Sequence, residues 1–371
     1  MCKFKKNNAI HKKKSSKKQQ FQKNALLLQN NKSTNIMNIA YIMYPGACYM
    51  GVSDGSKMQA EIWLKELERK GHHVERINPW GHYDWKGFDI IHVFGFGLWN
   101  YDMIHWGSKL NPNFVFSPII DTNTPMWKYR LATHLGCEKA RLFTQNYALR
   151  KLKKDIKLFF ARSEYEANYL KNGYRINQDK IAIVPLSYRD VKYNPNVSKE
   201  PFCLFTGTMT QPRKNVPRLI EAAKKYEFHL KLAGNTGNSE SKDQLLSLIG
   251  NNKNIELLGF VSDEELMSLY NRAKVFALPS LNEGVGLVAL EAAMHGCNIV
   301  ITELGGPKEY YESGTVETVN PYSIDEIGQA VIKALADNNS QPKLMNTIAQ
   351  KYNVSNCTDI LINHYNKVTN S

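Results

Sequence analysis

The chain has 371 residues, of which 43% are hydrophobic and 22% are charged. Because one compact core usually holds roughly 100 to 200 residues, this length predicts two domains. The composition excludes a disordered or collagen-like protein. The longest apolar runs, such as residues 88–99, are far shorter than the roughly 20 residues that cross a bilayer, so we expect no transmembrane helix.

The formal charge of +14 is concentrated at the amino terminus. Residues 1–36 hold ten lysines and no acidic residue, which leaves a formal charge of +4 for residues 37–371. Such a polar, like-charged leader cannot bury enough apolar surface to form a core, so we expect it to be disordered. Two interpretations stay open: a dispensable tail, or a polybasic segment that contacts anionic lipid.

Cysteine usage and acidic spacing indicate neither a disulfide framework nor a metal site. The six cysteines are far apart, with no CxxC pair, and no D-x-D pair stands at the end of a predicted strand. We therefore predict no metal and no cofactor. A reducing, cytoplasmic location fits best, with membrane-peripheral attachment through the leader as the alternative.

From Met37 onward, short apolar runs alternate with longer amphipathic stretches. Strands are predicted at residues 38–43, 73–77, 90–94, 114–117, 158–161 and 181–184. A helix runs through Met58 and Leu67 and stops at Gly71. This alternation predicts a parallel sheet covered on both faces, and we assign residues 37–190 to this first domain. Five tryptophans crowd it, and we expect most of them in the core: Trp80, Trp85, Trp99, Trp106 and Trp127.

A polar, proline-containing stretch at residues 191–201 predicts a linker. The alternation then restarts with strands at residues 202–206, 229–233, 255–258, 275–278 and 298–302, and helices at 216–226, 263–272 and 286–295. We assign residues 202–350 to a second doubly wound domain. Residues 351–371 contain a last amphipathic stretch, which we expect to pack back toward the first domain.

The most informative segment runs from Pro279 to Gly296 and reads PSLNEGVGLVALEAAMHG. A buried strand, a glycine turn and a helix in this order form a cradle for an anion, because free backbone amides and the positive helix end face the carboxyl edge of the sheet. Glu283 precedes the turn and Glu291 lies on the helix. Two glutamates alone could be an ordinary solvated face, but the whole combination favours a binding site.

With these residues the sequence resembles the retaining glycosyltransferases of family 4, over residues 37 to about 365. The resemblance implies the GT-B architecture, in which two Rossmann-like domains face each other across a cleft. The family's E-x7-E motif matches Glu283 and Glu291. The resemblance implies that Glu283 contacts the transferred sugar and that Glu291 accepts hydrogen bonds from the ribose hydroxyls. The amides of Gly284, Val285, Gly286 and Leu287 would hold the phosphates of the nucleotide.

A second match, Phe205 to Asn215, resembles the donor-phosphate loop of the family and includes Gly207. Lys214 matches the family's lysine, and a fixed cation there stabilises the charge that develops on the leaving diphosphate. The family often has an arginine directly after this glycine, and this chain has Thr208 at that position. A second cation in the loop therefore requires Arg213 to turn inward. Alternatively, Arg213 and Lys214 are a surface pair.

Further matches are more local. Phe260 and Val261 lie in a segment that resembles the loop holding the nucleotide base. Asp54 and Gly55 match the glycine loop near the acceptor and diphosphate, with Asp54 in place of the usual glycine. Many relatives carry a histidine after the fourth strand, whereas Asp121 is the polar candidate here; a turn or cap role for Asp121 stays open.

The resemblance implies transfer of a sugar from a nucleotide-diphosphate donor to a hydroxyl acceptor, with retention, in polysaccharide or glycoconjugate synthesis. The rivals are a nucleotide-sugar epimerase or phosphorylase of the same fold, and a basic nucleic-acid-binding protein. The last is disfavoured because the charge lies in a leader without interleaved aromatic residues. The donor base, the sugar and the acceptor stay open.

Overall fold

The structure is a computed structural model that describes residues 36–43, 55–78, 80–95, 97–189, 193–338 and 341–371. The predictions for the basic leader and for Asp54 lie outside the described residues. The residues from Asn38 to Ser371 group into one compact unit. Within the described residues, no helix is both long and apolar enough to cross a membrane.

The first sheet has six parallel strands in the order β2-β1-β3-β4-β5-β6. The strands are β1 Asn38–Ile42, β2 His73–Arg76, β3 Ile90–Phe94, β4 Phe114–Ser117, β5 Leu158–Ala161 and β6 Ile181–Ile183. The central strands β3, β4 and β5 are buried along their whole length. This explains why they read as short, mainly apolar runs, because helices cover both faces of a parallel sheet.

Five α-helices accompany this sheet in the described residues. They are α1 Gly55–Arg69, α2 Tyr101–Leu110, α3 Met126–Ala132, α4 Gln145–Leu152 and α5 Glu164–Asn168. The apolar core includes Phe116, Phe159 and Leu149. Trp63 on α1 is fully buried, but Trp80, Trp106 and Trp127 are exposed. The expectation that most of the five tryptophans lie in the core is therefore wrong for these three.

The second sheet also has six parallel strands, in the order β12-β11-β10-β7-β8-β9. The strands are β7 Glu200–Thr206, β8 His229–Ala233, β9 Ile255–Gly259, β10 Ala273–Leu278, β11 Asn298–Thr302 and β12 Glu317–Val319. The helices are α6 Val216–Tyr226, α7 Ser239–Ile249, α8 Asp263–Arg272, α9 Leu287–Met294, α10 Ile324–Ala336 and α11 Gln341–Lys351. Two parallel doubly wound sheets confirm the predicted α/β architecture.

The last helix, α12 Val354–Thr369, packs against α1 and β3 of the first sheet. It begins at Val354, where the side chain of Asn353 accepts a hydrogen bond from the amide of Asn356 and so caps the first turn. Tyr365 on α12 is fully buried. The chain thus returns from the second sheet to cover the first one.

A buried polar network joins α12 to the first sheet. Nδ1 of His92 lies 2.6 Å from the hydroxyl of Tyr365, and Nε2 lies 2.8 Å from the hydroxyl of Ser117. The hydroxyl of Tyr365 also lies 3.3 Å from that of Tyr41. Burial lowers the pKa of His92 well below its usual value, so the folded protein holds this ring neutral.

We expect the free energy of unfolding to decrease as the pH falls from 7.5 to 5.5. The unfolded chain takes up a proton at His92 as the pH drops through about 6.5, whereas the folded chain does not, which lowers the free energy of unfolding by about 1.4 kcal/mol over this range. Urea unfolding at the two pH values measures the change. The decrease should be smaller in the variant His92→Gln and unchanged in the control His82→Gln, which replaces an exposed histidine. An equal decrease of the unfolding free energy in both variants would contradict the assignment of this pH dependence to His92.

Candidate functional site

A cleft of about 980 Å³ opens between the two domains at the carboxyl edges of both sheets. Loops after β4 and β5 line one wall with Asp121 and Arg162, and loops after β7 and β10 line the other with Lys214 and Glu283. Parallel strands end at the same edge of a sheet, so residues distant in sequence meet there. The cleft therefore collects most of the predicted site residues.

The glycine turn after β10 has the conformation expected of an anion cradle. Gly286 has φ +76° and is the N-cap of α9, so it supplies no side chain to cap the amides of the first turn. The helix begins at Leu287, one residue later than predicted, because Gly286 lies in the left-handed region. Gly284 and Val285 are buried between β10 and this helix. Gly286, Leu287 and Val288 line the cleft, and the first amides of a helix have no partner within it, so the start of α9 can receive an anion.

Lys214 and Glu283 form the central ion pair of the second domain. Nζ of Lys214 lies 2.5 Å from Oε2 of Glu283, which also accepts from the hydroxyl of Ser280 at 3.3 Å. Nη1 of Arg213 is 3.7 Å from the same oxygen, so its guanidinium also turns toward Glu283, although 40% of the Arg213 side chain is exposed. The pair is mostly buried, with 12% and 10% of the two side chains exposed.

Two hydrogen bonds to backbone carbonyls hold the Lys214 turn against the Glu283 turn. The amide of Leu281 donates to the carbonyl of Arg213 at 2.7 Å. Asn215 lies in the left-handed region at φ +60°, and its side-chain amide donates to the carbonyl of Pro279 at 2.9 Å. These contacts place both charged side chains at one position in the cleft.

Gly207 and Thr208 line the cleft beside this pair, at the end of β7. Gly234, after β8, packs on them: it has φ +128°, and a Cβ at this position would overlap the carbonyl oxygen of Gly207. Only glycine fits such a close approach of two backbones.

We therefore expect Gly234→Ala to displace the Gly207 loop and to lower turnover at least tenfold. The neighbour is backbone and cannot rotate away, and alanine is also strained at this φ. Steady-state kinetics on purified variants test this expectation. The matched control is Gly250→Ala, which is also at positive φ but where the nearest atom to a Cβ would be 3.9 Å away, an ordinary van der Waals contact; an equal loss of turnover in both variants would indicate general destabilisation.

Asp121 is held by an arginine that the sequence analysis missed. Nη2 of Arg162 donates to Oδ1 of Asp121 at 2.6 Å, and its Nε donates to Glu166 at 2.7 Å. Burial alone would raise the pKa of Asp121, but Arg162, with smaller contributions from Arg213 and Lys214, brings it below the usual value. Asp121 is therefore an ionised hydrogen-bond acceptor.

Asp121 and Arg162 also meet the second domain directly. A Cβ at Gly284 would overlap the side chains of both residues, so they pack on the glycine turn. The side-chain amide of Asn282 donates to the carbonyl of Asp121 at 3.2 Å, and that of Asn123 donates to the carbonyl of Leu281. The Asp121 loop thus lies opposite Glu283 in the cleft.

A carboxylate of the second domain also caps a helix of the first. Glu309 accepts hydrogen bonds from the amides of Glu164 and Tyr165 at 2.6 Å and 2.8 Å, at the start of α5. The hydroxyl of Tyr310 donates to the carbonyl of Arg162 at 2.8 Å. Because α5 begins two residues after Arg162, this contact fixes the wall of the cleft that carries Asp121.

Glu291 is occupied by a second arginine that the sequence analysis missed. Nε and Nη2 of Arg189 donate to its two carboxylate oxygens at 2.6 Å and 2.8 Å. These hydrogen bonds raise the pKa of Arg189, while Glu291 itself is buried. A ribose at this position must therefore share or replace the guanidinium. Arg189 escaped notice because it lies in an aperiodic segment before the linker.

Phe260, Val261 and Gly55 are the remaining predicted residues that the structure describes. Phe260 and Val261 line the same cleft as Arg189 and Glu291, and the Phe260 ring is largely exposed. Gly55 is the first residue of α1. Among the residues that the structure describes, no group of three or more His, Cys, Asp or Glu side chains could hold a metal ion.

Comparison with known proteins gives one family match. Residues 189–352 match the family described as Glycosyl transferases group 1. The O-antigen chain mannosyltransferase B of Escherichia coli is 31% identical over 177 residues, which is 44% of this chain and 45% of the relative. The chain thus spans about half the length of the curated relatives it matches.

Solved structures match over nearly the whole fold. A glycosyltransferase from Rickettsia africae has a TM-score of 0.68 at 17% identity, with 90% of this chain and 99% of that chain covered. HepE from Anabaena in complex with UDP has a TM-score of 0.64 at 14% identity, with 89% and 100% covered. The chain has the two-domain GT-B fold of these glycosyltransferases, and its residues 189–352 match the family of glycosyl transferases group 1.

Proposed function

We propose that the protein transfers a sugar from a nucleotide-diphosphate donor to a hydroxyl acceptor, with retention at the anomeric carbon. The contact of Lys214 with Glu283 carries this proposal, because it puts a cation and a carboxylate beside the glycine turn and opposite Asp121 in one cleft. The finer family assignment, to the retaining enzymes with an E-x7-E motif, is part of the proposal.

The donor would lie mainly on the second domain. Its diphosphate would accept hydrogen bonds from the amides at the start of α9 and near Gly207, where the positive helix end favours an anion. Phe260 and Val261 would contact the base, and Glu291 the ribose. The nucleoside would therefore lie where Arg189 holds Glu291 in the cleft.

The charges in the cleft fit departure of a diphosphate without a metal. Negative charge develops on the leaving oxygen as the sugar bond breaks, and Lys214 with Arg213 would stabilise it without moving a proton. Asp121 is paired with Arg162, so it would orient a hydroxyl rather than take its proton. The leaving diphosphate itself would take the proton of the acceptor. We propose that no cofactor is needed.

The name of the Escherichia coli relative supports a mannosyl donor as the first candidate. The UDP bound to HepE supports a uridine nucleotide as one candidate for the leaving group. These two names do not indicate the same donor. A test of donors should therefore include both uridine diphosphate sugars and guanosine diphosphate sugars. The acceptor would bind to the first domain, near Asp121.

An epimerase of the same fold is the second candidate, but the lining disfavours it. Its elimination chemistry needs groups that donate and accept protons, and no histidine is among the described residues of the cleft wall. The charged groups of the cleft centre are already paired with one another, as the contacts of Asp121 and Glu283 show. Such pairs favour binding and charge stabilisation over proton transfer.

Thermal unfolding with a panel of nucleotide sugars tests the proposal. A donor present at 100 times its dissociation constant should add about 2.7 kcal/mol to the free energy of unfolding. Stabilisation by one donor should be followed by release of its nucleoside diphosphate in the presence of acceptor, and NMR of the product should show the anomeric configuration of the donor. Conversion of the nucleotide sugar without an acceptor would favour the epimerase, and an inverted product would refute retention.

A further inference from the structure

The first domain has a basic surface that the proposed reaction does not use. We call residues 126–154 the α3–α4 surface; they comprise α3, the connection 133–144, α4 and the two residues after it. It holds eight cations: Lys128, Arg130, Lys139, Arg141, Arg150, Lys151, Lys153 and Lys154. Its one acidic residue, Glu138, lies 3.1 Å from Lys151. The leader is therefore not the sole strong positive region of the chain.

A cavity of about 500 Å³ lies within this surface, between the end of α3 and α4. It is lined by His134, Tyr147, Arg150, Lys151, Lys153 and Lys154, a set without a carboxylate. Nη1 of Arg150 is buried and has no hydrogen-bond partner among the described residues. An unpaired buried guanidinium nitrogen is unfavourable, so the lining lacks an anionic acceptor.

Exposed apolar side chains accompany these cations. Trp127, Leu131 and Leu135 follow one another at intervals of four residues along α3 and the turn after it, with 67%, 58% and 56% of each residue exposed. Leu142, which is 59% exposed, lies in the connection, where it forms an isolated bridge with Cys137. Single exposed leucines are ordinary, but a row of them beside a tryptophan marks an interaction surface.

We propose that the α3–α4 surface docks on a bilayer that contains anionic phospholipid. The cavity would receive a lipid phosphate, while Trp127 and the leucines enter the boundary between headgroups and acyl chains. Tryptophan prefers this boundary, and lysine and arginine keep their charges in the headgroup layer while their stems lie along apolar surface. A soluble phosphate would satisfy the cavity but would leave the apolar row in water.

The position of the surface gives docking a consequence for the acceptor. The helix α3 begins directly after the loop that carries Asp121 and Asn123, and this loop contacts the second domain at the cleft. A docked bilayer would therefore lie next to the acceptor side of the cleft. This consequence, unlike the docking itself, rests on the proposed function: the hydroxyl acceptor would then be carried by a lipid.

Vesicle binding by the full chain tests the docking. The chain should sediment with vesicles of phosphatidylcholine and phosphatidylglycerol and not with phosphatidylcholine alone. In Arg150→Gln with Lys154→Gln, affinity should fall about thirtyfold, since each cation near an anionic surface contributes about 1 kcal/mol and 1.4 kcal/mol is a factor of ten. The matched control, Lys242→Gln with Lys253→Gln, removes the same charge from exposed positions of the second domain. Every variant retains the leader, so any contribution of the leader to vesicle affinity is the same in all of them.

A second measurement reports on insertion at one residue. Vesicles with brominated acyl chains should quench tryptophan fluorescence, and Trp127→Phe should remove most of the quenching while Trp80→Phe, another exposed tryptophan, should not. Unchanged melting temperatures of these surface variants show that the fold is intact.

Several outcomes would overturn the docking. Equal vesicle affinity of the Arg150/Lys154 variant and its control would assign any binding to another part of the chain. Complete displacement by inorganic phosphate, or binding of single-stranded RNA in place of vesicles, would identify a different ligand. Nucleotide binding is measured on the same samples, so loss of vesicle binding with intact nucleotide binding refutes the docking and leaves the proposed function standing.

Discussion

Lys214→Ala should lower turnover about a hundredfold, the usual loss when one preorganised charge-stabilising group is removed. The structure adds a second reason for a large effect: without Lys214, the carboxylate of Glu283 loses its partner at 2.5 Å. The Glu283 carboxylate, left with only Arg213 at 3.7 Å and the hydroxyl of Ser280 at 3.3 Å, would repel the charge that develops on the diphosphate. Single-turnover kinetics with the donor identified by thermal unfolding measure this loss.

The matched control is Lys224→Ala, which removes a lysine from the same domain that pairs with Glu221. Lys224 does not line the cleft, so its removal should leave turnover within a factor of two, as exposed ion pairs contribute little. Arg213→Ala should have an intermediate effect because its Nη1 lies farther from Glu283, at 3.7 Å. Turnover that collapses with a chelator but survives Lys214→Ala would identify a metal as the charge stabiliser.

Glu291→Gln should weaken binding of the free nucleoside diphosphate by about tenfold to a hundredfold. A ribose hydroxyl that donates to a charged acceptor contributes about 1.5 to 3 kcal/mol, and glutamine supplies no charge. Titration calorimetry measures the affinity directly. The side chain of Glu291 is buried and held by Arg189, so the variant should also have a lower melting temperature.

The variant Arg189→Met distinguishes a ribose that replaces the guanidinium of Arg189 from a guanidinium that itself contacts the nucleotide. If the ribose replaces the guanidinium, this variant should bind the nucleotide at least as tightly as the parent, because Glu291 then awaits a partner. Arg272→Met is the control, since Arg272 pairs with Glu200 away from the cleft. If Arg189→Met loses as much nucleotide affinity as Glu291→Gln, then Arg189 itself contacts the nucleotide and Glu291 only holds Arg189 in place.

The strands were predictable wherever burial is continuous. Strands β10 and β11 are almost wholly buried, and each contains an apolar run, at residues 275–278 and 299–301. Strand β12, Glu317–Val319, was missed because it is a three-residue edge strand with one buried residue, so no run marks it. Exposure on helices was harder to predict: Trp127 and Trp63 both lie on helices, yet one is exposed and the other is buried.

The basic α3–α4 surface was visible in the sequence but was overlooked. Eight cations within residues 126–154 are a clear charge excess. The charge count treated residues 37–371 as one unit with a small net charge, which hid a local concentration. Whether the tryptophan and leucines among these cations are exposed depends on what packs on α3, and that is a tertiary property.

Local sequence was sufficient for the fold class and for the elements that carry the site. Buried parallel strands need apolar residues on both faces, and the glycine turn before α9 needs a residue that adopts φ +76°; both demands are met by neighbours in the chain. The pairs Arg162 with Asp121 and Arg189 with Glu291 join residues 41 and 102 positions apart. No periodicity marks such partners, because their contact depends on how the strand-end loops and the two domains pack. The charge state and accessibility of the predicted residues therefore follow from tertiary packing, whereas their presence at the cleft follows from the strand and turn pattern.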